Sequence, residues 1–155
     1  CNCFQVAAVR RMIVSPGGLP NDVDLYISQR ALELTAEGVC DGGEILFLSA
    51  CPKGVGSART KTQFYDKLIA PLDEIEAADR DRYQLFSHKP WRFARLIRRL
   101  NRLRVYSQIE AGEIEKMHMA ICSDPQSAID AWIHQNPQEK ILVVDGANKL
   151  LLRKA

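Results

Sequence analysis

Three short stretches of this chain carry side chains and backbone suited to chemistry. The first is Ser15-Pro16-Gly17-Gly18-Leu19-Pro20, followed by Asp22, Asp24, Tyr26 and Arg30. Proline fixes its own backbone, and two successive glycines take dihedrals closed to other residues, so main chain can approach a ligand with no side chain in the way. Tyr26 offers a donor on an apolar ring, and Arg30 the planar fork that grips a carboxylate in two places. The second stretch is Cys51-Pro52-Lys53-Gly54-Val55-Gly56-Ser57, and the third is His88-Lys89-Pro90-Trp91. The first suits a ligand carrying a carboxylate; the second reads equally as a surface loop, and His88 stands out from an ordinary surface histidine only through Lys89 and Trp91 beside it.

The elements that must position these residues alternate. Val6 to Val14 reads as a strand after a short irregular lead. Asp22 is an N-cap candidate, with Asp24 inside the first turn to complement the dipole. The helix it opens runs to about Val39, with Leu25, Leu32 and Ala36 near helical spacing and Asp41-Gly42-Gly43 ending it. Asp22, Tyr26, Arg30, Glu33 and Glu37 recur at spacings of three and four and so form one polar face. The residues alone leave that face either solvated or turned to the glycine turn. Glu44 to Ala50 is a compact apolar run that suits a strand buried on both faces.

Pro52 to about Lys61 reads as a loop, and Thr62 to about Leu72 as a helix that Pro71 interrupts. An acidic segment, Asp73 to Asp81, carries a thin apolar stripe of Leu72, Ile75 and Ala78. Pro90 to about Asn101 is a helix with proline at its first position. Val105 to Ile109 is a strand, Ala111 to Met119 a short helix or turn, and Ala120 to Cys122 a short extended piece. Asp124-Pro125 starts another helix, Lys140 to Val144 is a strand, Asp145-Gly146-Ala147-Asn148 a turn, and Leu150 to Leu152 a last strand or tail. Alternation of this kind predicts an α/β, Rossmann-like fold: a mainly parallel sheet of about four or five strands, helices on both faces, right-handed crossovers. No repeat or linker divides residues 1–155, so one domain is expected.

Composition bounds the rest. A net charge of +2 gives no general pull towards nucleic acid or membrane. No apolar run approaches the roughly 20 residues needed to span a bilayer, and no secretory h-region opens the chain. Five cysteines, with Cys40, Cys51 and Cys122 placed singly and Cys1 and Cys3 at the start, read as reduced and inert in a chain able to build its own core. The cytoplasm is the expected compartment. His88, His118 and His134 show no metal-ligand spacing. A lone Gly54-x-Gly56 lacks the third glycine of a dinucleotide fingerprint, and suits a flexible surface loop as well as a ligand-facing one. Arg92, Arg95, Arg98, Arg99, Arg102 and Arg104 make a basic stretch. A solvated face balanced by the acidic run (Asp73, Glu74, Glu76, Asp79, Asp81) is the preferred reading, and a nucleic-acid surface the disfavoured one.

The three stretches, in order, resemble the C-terminal domain of the nickel-dependent lactate racemases. Ser15 to Pro20 with Asp22, Leu25 and Tyr26, then Cys51 to Ser57, then His88-Lys89 before a helix reaching Ala94-Arg95, are similar to that family's motifs over most of the chain. The resemblance implies that Tyr26 lies near the cofactor, and that Arg30 stands where a Lys is thought to hold the substrate carboxylate. Ile27 stands where the lactate enzyme has a Gln, which points to a larger or more apolar 2-hydroxy acid. It also places His88 and Lys89 in a substrate or domain contact, and the loops of Gly17, Gly18, Asp22, Gly54 and Gly56 along an interdomain cleft.

Inverting a 2-hydroxy acid carbon needs a proton or hydride removed on one face and returned on the other. The family does this with a nickel pincer nucleotide attached to a Lys, flanked by paired histidines. All of these belong to an N-terminal domain with no counterpart in this sequence. The resemblance thus implies the C-terminal half of a racemase or epimerase, with no catalytic and no metal-ligating residue of its own, inactive alone and partnered by that N-terminal domain. The start at Cys1 fits a fragment of something longer. Two alternatives stay open: a stand-alone module holding an anionic metabolite or nucleotide at Gly17-Gly18, and a nucleic-acid partner using the arginine helix.

Overall fold

The computed structural model describes residues 2–81 and 88–155. Its strands are β1 (Asn2–Val6), β2 (Val9–Val14), β3 (Val39–Leu48), β4 (Arg102–Tyr106), β5 (Ala120–Ile121), β6 (Ile141–Val144) and β7 (Leu150–Lys154). Five of them form one parallel sheet in the order β5-β4-β3-β2-β6. The expected α/β architecture is present, because side chains alternate between two buried faces. Met12, Val14, Ile45, Phe47, Leu103 and Val105 join the larger core cluster, while Ile13 and Leu46 join a smaller one.

Helices cover the two faces unequally. On the larger cluster lie α1 (Leu25–Thr35), a helical stretch α2 over residues 58–68 with a π turn at Lys61–Tyr65, α3 (Leu72–Asp81), α4 (His88–Arg99) and α5 (Ala111–Lys116). The opposite face receives α6 (Pro125–Gln135), whose Trp132, Ala128 and Ile129 pack on Ile13 and Leu46. That helix leaves part of the face bare: Val143 and Tyr106 remain exposed. Among the described residues no helix is long and apolar enough to cross a membrane.

The lead is not irregular. β1 pairs in parallel with β7 as a separate two-stranded ribbon, Asn2 opposite Leu150 through Val6 opposite Lys154. Its polar, exposed residues gave no apolar signal to read. A second difference lies at Asp41-Gly42-Gly43, which does not end a helix. The helix stops at Thr35, a 3-10 turn follows at Ala36–Gly38, and β3 begins at Val39. The two glycines serve a bulge: Val9 pairs with Val39 and Arg11 with Glu44, so three extra residues sit on β3. A Cβ on Gly43 would lie 2.8 Å from the Arg10 carbonyl and 2.6 Å from the Val39 Cγ2, so only glycine fits there.

The acidic run and the arginine helix do meet. Arg98 pairs with Asp73 and Glu76, and Arg99 with Asp41. Cys1 and the side chains of Ala78, Asp79 and Asp81 lie outside the described residues.

Candidate functional site

Asp24, not Asp22, caps α1. The helix starts at Leu25, the first fully buried apolar residue, and the Asp24 carboxylate accepts from the Ile27 N–H at 2.8 Å. Both aspartates suit a cap chemically; the rule that the cap immediately precedes the first apolar-periodic residue selects Asp24. Asp22 is buried instead. Its carboxylate accepts from the Ala50 N–H at 3.3 Å, and its carbonyl from the Cys51 N–H at 2.9 Å.

These bonds fasten the first loop to the second. Lys53 N–H donates to the Val23 carbonyl at 3.0 Å, and Leu25 N–H to the Gly54 carbonyl at 3.0 Å. The second loop is therefore held against the start of α1 through Lys53 and Gly54. Gly56, two residues on, has φ +126° and packs on Thr60. The first turn is gripped from its other side by the loop after β6. Ser15 Oγ donates to Asp145 at 2.8 Å, and Asn148 Nδ2 to the Asn21 carbonyl at 3.1 Å. Gly17, at φ +101°, lies so close to this loop that a Cβ would stand 2.9 Å from the Gly146 Cα. Gly18, at φ +69°, faces open space. All these loops leave the carboxyl ends of parallel strands, where open α/β sheets build their sites.

Tyr26 follows the Leu25–Gly54 bond by one residue. Its ring meets Phe64 edge-on, centroids 5.7 Å apart, and carries the Lys89 ammonium over its face at 3.5 Å. The same ammonium donates to the Tyr26 carbonyl at 3.4 Å. Burial holds the Lys89 ammonium below its usual pKa, with the Arg30 charge acting the same way and Glu33 and Asp24 opposing. Arg30 is exposed one turn along α1, and Ile27 is 41% exposed beside it. His88 and Lys89 lie within α4 rather than ahead of it, so Pro90 is not the first helical residue. His88 Nδ1 is buried with no hydrogen-bond partner among the described residues.

The structure thus brings Tyr26, Lys89 and Arg30 within one electrostatic neighbourhood, next to the loop of Gly54. Gly17 packs against Gly146 at the same end of the sheet, and Gly18 next to it faces open space. Three things were missed in the sequence: the role of Asp22, the clasp from Asp145 and Asn148, and the Phe64 wall beneath Tyr26. The Asp145-Gly146-Ala147-Asn148 turn was legible as a turn, but contacts over more than 100 residues leave no local signal. Among the described residues no three His, Cys, Asp or Glu side chains gather as metal ligands would.

Comparison with known proteins decides the family. The model of the lactate racemase C-terminal domain matches residues 6–150. The chain belongs to the lactate racemase C-terminal domain family. As a member of that family, it also shares its fold with two solved structures. The lactate racemase apoprotein from Thermoanaerobacterium thermosaccharolyticum superposes with a TM-score of 0.78 at 20% identity, over 98% of this chain and 37% of that one. A protein from Thermotoga maritima gives 0.68 at 9% identity, over 99% of this chain and 39% of that one. The chain spans well under half the length of either. No curated protein matches it.

Proposed function

We propose that this lactate racemase-like domain forms the substrate-facing half of a nickel-dependent racemase or epimerase of 2-hydroxy acids, working in the cytoplasm and inactive alone. Family membership supports the class of reaction. The observation that carries the local reading is the Tyr26–Lys89 contact with Arg30 close by, beside a glycine loop at the carboxyl ends of parallel strands.

In this reading Arg30 grips the substrate carboxylate with its fork, and Lys89 adds positive charge from a part-buried position. Tyr26 presents its hydroxyl towards the substrate or cofactor. Ile27 gives the substrate's carbon-2 substituent an apolar wall, which favours acids larger than lactate. Gly17, Gly18, Asp22, Gly54 and Gly56 shape the cleft wall, and His88 contacts the neighbouring domain. The described residues of this chain do not assemble a nickel ligand set. By the family resemblance, the nickel pincer nucleotide and the proton-transfer groups would come from an N-terminal domain.

The test is chiral chromatography of a panel of 2-hydroxy acids, from lactate to branched and aromatic ones, incubated with the nickel-loaded whole protein and with this chain alone. Interconversion by the whole protein, strongest for an acid larger than lactate and absent with the chain alone, is the expected result. Failure to invert any member of the panel would overturn the reading.

A further inference from the structure

A groove of about 1080 Å³ runs between α1 and α4, and neither Tyr26, Arg30 nor Lys89 lines it. Its apolar surface includes Leu34, Leu96 and Leu151 together with the Trp91 and Phe93 rings, and its charge comes from five arginines and three glutamates. Four of the arginines are already engaged. Arg92 pairs with Glu33, Arg98 with Glu76, and Arg153 with Glu37, while Arg99 donates to the Ala36 and Val39 carbonyls and pairs with Asp41. Arg95 differs. Among the described residues it has no acid partner, and its guanidinium lies 4.7 Å from the centre of the Trp91 ring.

A stacked guanidinium is fixed in orientation while the N–H edges of its fork stay open. Gln29, which also lines the groove, is only 1% exposed, and its Nε2 has no hydrogen-bond partner among the described residues. A buried amide donor without a partner is unfavourable, so its retention in the lining of a groove that also holds an arginine without an acid partner points to a ligand acceptor.

We propose that this groove binds a small organic anion: an apolar or aromatic body lying on Leu34, Leu96 and Leu151, with one carboxylate, sulfonate or phosphate group held by Arg95 and reached by Gln29. One anionic group is the limit. Glu33, Glu37 and Glu76 line the same groove, so a second negative charge would meet repulsion, and a polyanion such as nucleic acid is disfavoured.

The probe is 8-anilinonaphthalene-1-sulfonate, an aromatic monoanion, titrated into the folded chain and followed by fluorescence. One saturable site per chain is expected. Arg95→Gln should weaken it by about tenfold, the loss of one charge-assisted contact. Gln29→Leu should weaken it less, and Arg102→Gln, the same charge change at an exposed position outside the groove, should leave it unchanged. Binding untouched by Arg95→Gln, or equally weakened by Arg102→Gln, would overturn the proposal. So would the absence of a saturable site.

Discussion

The Lys89 ammonium lies 3.5 Å from the centre of the Tyr26 ring and donates to the carbonyl of the same residue. One cation thereby locks both the backbone and the ring of α1's first turn to α4. Replacing the ring, Tyr26→Leu, should lower stability by about 1–2 kcal/mol through the lost Phe64 edge contact and the cation–π pair. Tyr26→Phe keeps both and should stay within about 0.5 kcal/mol in urea unfolding. Burial depresses the Lys89 pKa, so the folded state holds this proton less tightly than the unfolded chain does. Its contribution to stability therefore rises as pH climbs towards the ordinary 10.5. Lys89→Met should flatten that rise, and the Lys89 side-chain NMR signals should titrate below 10.5.

On the other face of the sheet, the Trp132 ring has two guanidiniums near it, those of Arg11 and Arg104, 5.7 and 5.9 Å from its centre. Glu44 accepts from Trp132 Nε1 at 3.2 Å and from Arg104. Burial alone would raise the Glu44 carboxyl, but these two hydrogen bonds and the Arg104 and Arg11 charges together outweigh it and leave the pKa below 4.5. The stabilisation is complete at neutral pH and is lost as pH falls through that lowered value. Glu44→Gln should cost about 2 kcal/mol at pH 7 and remove this part of the acid dependence, measured by thermal unfolding across pH 3 to 7.

Cys51 takes a left-handed backbone, φ 48°, at the turn after β3, with its sulfur 3.1 Å from Ser49 Oγ. Burial pushes its thiol above the usual 9.0. The folded state keeps this proton longer than the unfolded chain, so its contribution to stability falls as pH rises past 9.0. Exposed Cys3 should react with a thiol reagent at neutral pH in the folded chain, while Cys51 and Cys122 react only after denaturation. A Cys51 that reacts as fast as Cys3 would contradict the buried placement.

Gly17 and Gly18 should not respond alike. Both have positive φ, but only Gly17 would drive a Cβ into the Gly146 backbone. Gly18→Ala should cost about 1 kcal/mol for its backbone alone. Gly17→Ala adds displacement of the clasping loop and should cost about 2–3 kcal/mol, read from denaturant midpoints.

The alternation of elements was legible because β2, β3 and β6 carry short apolar runs buried in a parallel sheet, and because Pro71 and Asp124-Pro125 mark boundaries locally. The loop expected to reach Lys61 ends sooner, because the Ser57 side chain caps a helical stretch that starts at Ala58. The ribbon of β1 and β7 was not, since Asn2 to Gln5 are exposed and their pairing spans nearly the whole chain. Gly42 and Gly43 misled for a physical reason: glycine suits a bulge as well as a helix end. Tyr26, Arg30 and Lys89 could be picked by residue type, yet the sequence could not say that Lys89 lies on the Tyr26 ring. That contact depends on how α4 packs against α1.

The most direct measurement is the KM of the nickel-loaded whole protein for its 2-hydroxy acid, in wild type and in Arg30→Gln, by chiral chromatography. Removing a bidentate carboxylate grip should raise KM by about tenfold or more, while the exposed Arg30 leaves folding intact. An Arg30→Gln enzyme with wild-type KM would contradict the assignment of this helix face to the substrate.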